Sequence, residues 1–274
     1  MTVLSDAQKQ AALTLFRAVQ SRLVQAFEGL DQGAKAQFKT WEKSANASRR
    51  PAGGGTMAVL RGAVVEKAGA NVSAVTGDSY PALEGEHKDK PFFAAGVSTI
   101  CHMYNPHAPI AHMNVRVLEV GDKFWVGGGA DLTPFVRYAE DTAAFHLALQ
   151  RACDPRGPGT YEKYKKWCDE YFYIPHRQQA RGVGGIFFDY LTGDFDDLLR
   201  FLDAVSSAYV EVYPAILAQR KDAPFTPEEK DAQLYWRGRY AEFNLVYDRG
   251  TKFGLMSGGN TEAILVSMPP VVKW

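Results

Sequence analysis

Three side chains able to do chemistry recur at alternate positions in APIAHMNVRVLEV, Ala108 to Val120: His112, Asn114 and Arg116. In an extended strand, period two puts these three on one face and Met113, Val115 and Val117 on the other. An imidazole can carry a proton near neutral pH, and a guanidinium can hold a carboxylate through two parallel bonds. Such a face suits a wall that binds an acid and moves a proton. It equally suits the solvated side of an antiparallel strand, and on this segment alone both readings stand. Gly121-Asp122 fits a two-residue hairpin turn, with Lys123–Val126 returning as the partner strand. Gly127, Gly128 and Gly129 then lead to Asp131. Glycines let a flat ligand approach the backbone; the alternative is a bulge or strand end capped by Asp131.

Other candidates are more scattered. Arg177 and Arg181 sit in IPHRQQARGVGG, with a carboxylate-binding role or plain solvation open to each. A metal site could draw on His102, His112, His146 and His176, but no HxH or HExxH spacing supports it, and His146 reads as a partly exposed helix residue. No GxGxxG follows a strand, and GxxxxGK[ST] and GxSxG are missing, so an enzyme built on this chain would work without the usual nucleotide apparatus.

Bulk properties narrow the class. The 274 residues balance 31 basic against 31 acidic side chains, which argues against nucleic acid as a partner. Three cysteines without a CxxC argue against a disulfide framework or zinc ribbon and for a reducing compartment. MTVLSDAQKQAALTLF lacks the pattern of a secretory signal, and no apolar run approaches the ~20 residues of a transmembrane span, so a cytoplasmic protein is expected.

The elements that must position these residues read as a single domain over 1–274: N-terminal helices in 1–46, a flexible loop in 47–56, and a sheet-and-helix core in 57–274. Ser5 and Gln8 form a capping box, after which Ala12, Phe16, Val19, Leu23 and Phe27 mark one helix face. A second short helix is expected around Phe38 and Trp41 up to about Ala45. SRRPAGGG, Ser48 to Gly55, reads as a mobile loop. Strands are expected at Met57–Leu60, Ala63–Lys67, Asn71–Thr76, Phe92–Met103, Ile186–Tyr190, Tyr240–Tyr247 and Glu262–Met268. Helices are expected at Ala139–Ala152, Tyr161–Phe172 and Asp194–Gln219, with another start at Thr226-Pro227. Adjacent hairpins with helices before and after predict an α+β fold on a mainly antiparallel sheet.

Taken together, HMNVRVLEV, WVGGGADLTPF, KYKKWCDEYFYIPHRQQARGVGGIFFDYL, EFNLVYDRGTKFGL and TEAILVSMPP resemble the oxygen-dependent coproporphyrinogen III oxidase family, and GGGTMAVLRGAVVEKAGANVSAVTG resembles its N-terminal block. The resemblance runs from about Gly53 to Trp274. It implies a large flat antiparallel sheet with helices on both faces, and a homodimer. It also implies oxidative decarboxylation of two propionates of coproporphyrinogen III to vinyl groups, giving protoporphyrinogen IX in heme biosynthesis. Molecular oxygen would be the co-substrate, no organic cofactor would be needed, and a divalent metal would be optional. By the same resemblance His112 is the acid/base, Asp131 meets the pyrrole N–H groups and Arg116 grips a propionate. Ser98, Asn114 and Val115 line the pocket with Gly258, Gly259 and Asn260. His102, His112, His146 and His176 are the metal-ligand candidates. Two departures stand out: Asn260 occupies a place where many relatives carry arginine, and relatives commonly run on beyond the Pro-Pro segment near Trp274. A metal-dependent oxygenase built on the histidines and a non-catalytic tetrapyrrole binder are the competing functions.

Overall fold

The computed structural model describes residues 3–43, 52–80, 87, 89–256 and 259–274. Helix α1 (Asp6–Leu30) opens with the expected capping box, Ser5 accepting from Gln8 N and the Gln8 side chain returning to Ser5 N. Its predicted stripe is buried throughout, from Ala12 to Phe27. Seven antiparallel strands follow in one sheet: β1 (Gln37–Lys43), β2 (Ala52–Leu60), β3 (Val65–Gly77), β4 (Phe92–Met103), β5 (Ile110–Val120), β6 (Lys123–Thr133) and, after two helices, the last. Those helices are α2 (Ala139–Cys153) and α3 (Thr160–Tyr171). A two-stranded ribbon of β7 (Tyr173–Ile174) and β8 (Gln179–Ala180) precedes the sheet's final strand, β9 (Gly184–Leu191). The sheet order is β1-β2-β3-β4-β5-β6-β9. Helices α4 (Phe195–Arg220), α5 (Pro227–Val246), α6 (Arg249–Met256) and α7 (Thr261–Ile264) complete the chain.

Helices cover both faces of the sheet, as the family resemblance implied. Val97, Met113, Val115 and Val117 meet α1, α2 and α4 in the main core, while Ile100 and Ile110 meet Tyr240 of α5 on the other side. Helix α4 is long and apolar enough to span a bilayer by length and composition. It is instead a core helix whose Leu198, Phe201, Leu202 and Val205 are buried. The Tyr213 hydroxyl accepts from Ala111 N and donates to Pro109 O, and that of Tyr209 donates to Ala111 O. These bonds brace the backbone immediately before His112.

Several boundaries differ from expectation. The expected second helix is strand β1; Ala45 lies outside the described residues. A short isolated helix gains too little to nucleate, whereas β1 completes a ladder with β2. Of the expected loop 47–56, residues 47–51 lie outside the described residues and Ala52–Thr56 belong to β2. Glycine at position 55 serves close approach: a Cβ there would lie 2.4 Å from Val72 O and 2.9 Å from the Trp41 ring. Tyr240–Tyr247 continues α5, because Gln233, Arg237, Tyr240, Ala241 and Asn244 bury one helical face. Glu262–Met268 holds α7 and a 3-10 turn rather than a strand. The strand after the Gly121-Asp122 turn runs past Val126 to Thr133, so the glycines and Asp131 lie within it.

Candidate active site

Register builds the floor. Opposite His112, Asn114 and Arg116 of β5 stand Ile100, Ser98 and Gly96 of β4. On the other flank stand Asp131, Gly129 and Gly127 of β6. This face looks away from α1 and α4 into a cleft of about 420 Å³ roofed by α6, α7 and the end of α5. Ser98, His112, Asn114, Arg116, Gly259 and Asn260 all line it, together with Trp41, Tyr80, Trp125, Tyr171, Phe187 and Phe253. Val115 does not. Strand alternation turns its side chain into the main core, where it is fully buried, so its expected place in the pocket lining is corrected. Gly258 lies outside the described residues. Gly259 N donates to Gly254 O within the roof, which removes the backbone donor expected there for substrate. The Asn260 side chain caps α7 by accepting from Ala263 N.

Arg116 is held at both ends of its guanidinium: Nη1 donates to Asn114 Oδ1 at 2.9 Å and Nη2 to Asp189 Oδ2 at 2.8 Å. Asp189 escaped the sequence reading, since its place depends on an irregular pairing. The β6–β9 register shifts between Val126 and Gly128, and Tyr190 takes a positive φ of 54°. A bulge of this kind re-aims a side chain, and here the carboxylate lands over Gly127. A Cβ on Gly127 would sit 2.4 Å from Asp189 Oδ1 and 2.8 Å from the Arg116 Nη2. The only trace of this in the sequence was the aspartate after the apolar run of GGIFFDYL.

Asp131 is 2% exposed and sits behind His112 rather than in the cleft wall. Arg181, itself 4% exposed, donates from Nη2 to both Asp131 oxygens at 2.7 Å. The guanidinium lies 3.8 Å from the Phe172 ring centre and 4.7 Å from that of Tyr240. Backbone pairing delivers it there, because Arg181 N donates to Phe172 O as the β7–β8 ribbon closes. His112 Nδ1 stands 3.5 Å from Asp131 Oδ1, at the long limit of a hydrogen bond. Burial alone would raise the Asp131 pKa, but the charge of Arg181 and the contact with His112 outweigh it and hold the carboxyl below its usual range. The imidazole, 29% exposed at the side chain, turns its other edge toward the cleft.

The four histidines considered for a metal do not assemble. His102 is fully buried under the roof, its Nε2 against Ser267 O at 2.9 Å; burial and nearby Arg237 hold its pKa well below the ordinary value. His146, on α2, bonds the Tyr161 hydroxyl and Val183 O. His176 bonds the Tyr247 hydroxyl and Glu242. His112 faces Asp131. Each ring already has other partners on a different element, and among the described residues no three His, Cys, Asp or Glu side chains group to hold an ion. The residues therefore do not fit the expected four-histidine centre.

The arrangement offers an aromatic-walled slot with a guanidinium and an imidazole in its floor. A family model described as coproporphyrinogen III oxidase matches residues 11–274. Two relatives named oxygen-dependent coproporphyrinogen-III oxidase, from Rickettsia bellii strains OSU 85-389 and RML369-C, are each 48% identical over 252 residues. The aligned region covers 90% of this chain and 88% of each relative.

Proposed function

We propose, for a chain that belongs to the coproporphyrinogen III oxidase family, that it converts two propionates of coproporphyrinogen III to vinyl groups with molecular oxygen. In each round a propionic acid side chain becomes a vinyl group by losing CO₂, two electrons and two protons (one from the carboxylic acid and one from carbon), and O₂ takes up those two electrons and two protons to become H₂O₂. The observation that carries this reading is the shared cleft: His112, Asn114 and Arg116 line one pocket together with several aromatic rings. A porphyrinogen is a large apolar macrocycle with acids at its edge. Its pyrroles are electron-rich enough to react with oxygen themselves, which leaves the protein to bind, orient and move protons.

In this reading Arg116 holds a propionate, and Asn114 fixes the guanidinium that does so. His112 takes the proton released as the side chain becomes a vinyl group. Asp131 was expected beneath the ring centre. Its burial and its Arg181 partner support a different role, a fixed negative charge behind His112 that stabilises the imidazolium. The protein acts as one domain in the cytoplasm and as a homodimer, a state in keeping with Tyr235, Leu245, Val246 and Trp274 exposed on α5 and the C-terminal segment.

An oxygen electrode with anaerobically prepared coproporphyrinogen III tests the proposal. Oxygen uptake with protoporphyrinogen IX as product is expected. Tight porphyrin binding without oxygen uptake would favour a carrier and overturn the oxidase reading.

A further inference from the structure

We propose that Lys67 is a site of carbamate formation: its side-chain amine takes up CO₂, and the resulting anion completes a buried cluster of cations between β3, β4 and α5. The starting observation is a shortage of negative charge. Arg237 of α5 is fully buried, yet its Nε and Nη1 meet no acceptor among the described residues. Its Nη2 donates to Met103 O at 2.9 Å and lies 2.8 Å from Glu66 Oε2. That ion pair is misaligned for a hydrogen bond, and Glu66 Oε2 also stands without a donor. A buried guanidinium left short of acceptors is costly.

Lys67 reaches the same place through an irregular strand. The β3–β4 register shifts between Val65 and Lys67, so Glu66 and Lys67 do not simply alternate across the sheet. Lys67 pairs with His102, the neighbour of Met103. It is 7% exposed, and its Nζ donates to Met268 O. The charges acting on it are two cations, Arg61 and Arg237, and one acid, Glu66. Lys230 of α5 feels Arg237 and Glu66 as well. His102 supplies no counter-charge; its Nε2 is on Ser267 O, and burial keeps the ring neutral. Burial, and after it Arg61 and Arg237, bring the Lys67 ammonium down to about 8. Near neutral pH part of the population is therefore free amine, the nucleophilic form.

The chemistry follows from this placement. The nitrogen lone pair attacks the carbon of CO₂, an N–C bond forms, one C–O π pair moves onto oxygen, and the nitrogen releases a proton to water. Amine and CO₂ give carbamate and H⁺, with no oxidant or reductant. The carbamate keeps an N–H for Met268 O. It turns a positive charge into a negative one, so Arg61 and Arg237 then face Glu66 and the carbamate, two against two. Arg237 can donate to the new anion from an unpaired N–H without leaving Met103 O. CO₂ suits the position because it is small and neutral. The proposed reaction also releases it nearby: Ser267, whose carbonyl meets His102, lines the cleft, so the cluster lies behind the cleft wall.

The test incubates the full chain with isotopically labelled bicarbonate at about pH 8, fixes carbamates as ethyl esters with triethyloxonium ion, and reads each lysine peptide by mass spectrometry. Bicarbonate supplies CO₂ without turnover, so the result is independent of the oxidase reading. Lys166, whose side chain is 80% exposed, is the internal reference. An ordinary lysine, with a pKa of about 10.4, holds roughly a hundredfold less free amine at that pH. Label on Lys67 is therefore expected to exceed that on Lys166 by about tenfold or more. Arg61→Gln, in the exposed connection between β2 and β3, should melt as wild type does and lower the Lys67 label several-fold. Label on Lys67 no higher than on Lys166 would overturn the site. An unchanged Lys67 label in Arg61→Gln would overturn the claim that the cation cluster holds the anion.

Discussion

Replacing Arg181 by Met tests the buried pair behind His112. Arg181 and Asp131 are 4% and 2% exposed, and one guanidinium nitrogen holds both carboxylate oxygens at 2.7 Å. Methionine keeps much of the packing against Phe172 but leaves Asp131 buried without its counter-charge. Breaking such a pair from one side costs about 3–5 kcal/mol. At roughly 2–4 °C per kcal/mol for a chain somewhat smaller than this one, Tm should fall by roughly 10 °C. The pH dependence carries the sharper signature. In wild type the Asp131 pKa is lowered on folding. Its contribution is therefore fully present above the unfolded value near about 4 and is lost as pH falls through the folded value. Without Arg181, desolvation raises the folded pKa above that of the unfolded chain. Stability relative to wild type then declines as pH rises from about 4 toward the new value, with His112 offsetting part of the loss when protonated. Urea unfolding followed by circular dichroism at pH 5 and pH 8 should show the larger deficit at pH 8. Adding Asp131→Asn should recover part of it. A deficit below about 1 kcal/mol at pH 8, or one that simply adds to that of Asp131→Asn, would refute the account of a compensated pair.

His112→Ala should fold normally, since the ring is partly exposed, and lose about 10²–10⁴ in kcat; activity within threefold of wild type in the oxygen assay would remove its acid/base role. Asp189→Asn should free Arg116 and tighten coproporphyrin III binding several-fold, whereas weaker binding would show that Asp189 orients the guanidinium rather than competing for it. Gly127→Ala should push the Arg116–Asp189 pair apart and raise KM with a smaller effect on Tm, and an unchanged KM would contradict the close approach at that position. Exhaustive chelation, checked by elemental analysis, should leave turnover intact; loss restored by a single divalent cation would revive a metal-assisted route.

Much of the floor was legible because period two is a strong constraint. Once His112, Asn114 and Arg116 are taken as one strand, their shared face follows, and so does the short Gly121-Asp122 turn; the partner strand was expected to stop at Val126, so the pairing of Asp131 with His112 emerged only with its continuation to Thr133. The helical stripe of α1 and the cap at Ser5 were legible for the same local reason. Where the pattern was short, aromatic residues misled. Phe38 and Trp41 suggested a helix and formed a strand, while Tyr240–Tyr247 suggested a strand and lies almost wholly in a helix. In both places partners distant in sequence decided the outcome.

By itself, the sequence determined that His112, Asn114 and Arg116 share one face of β5, the fold class, and the family that its ordered motifs resemble. Only the tertiary structure decided who neutralises whom. Asp189 reaches Arg116 through a bulge, Arg181 reaches Asp131 across 50 residues, and the four histidines each face partners other than one another. The physical reason is that alternation and turn length are properties of neighbours along the chain. A buried charge instead finds its partner through the packing of whole elements, and no local spacing encodes that.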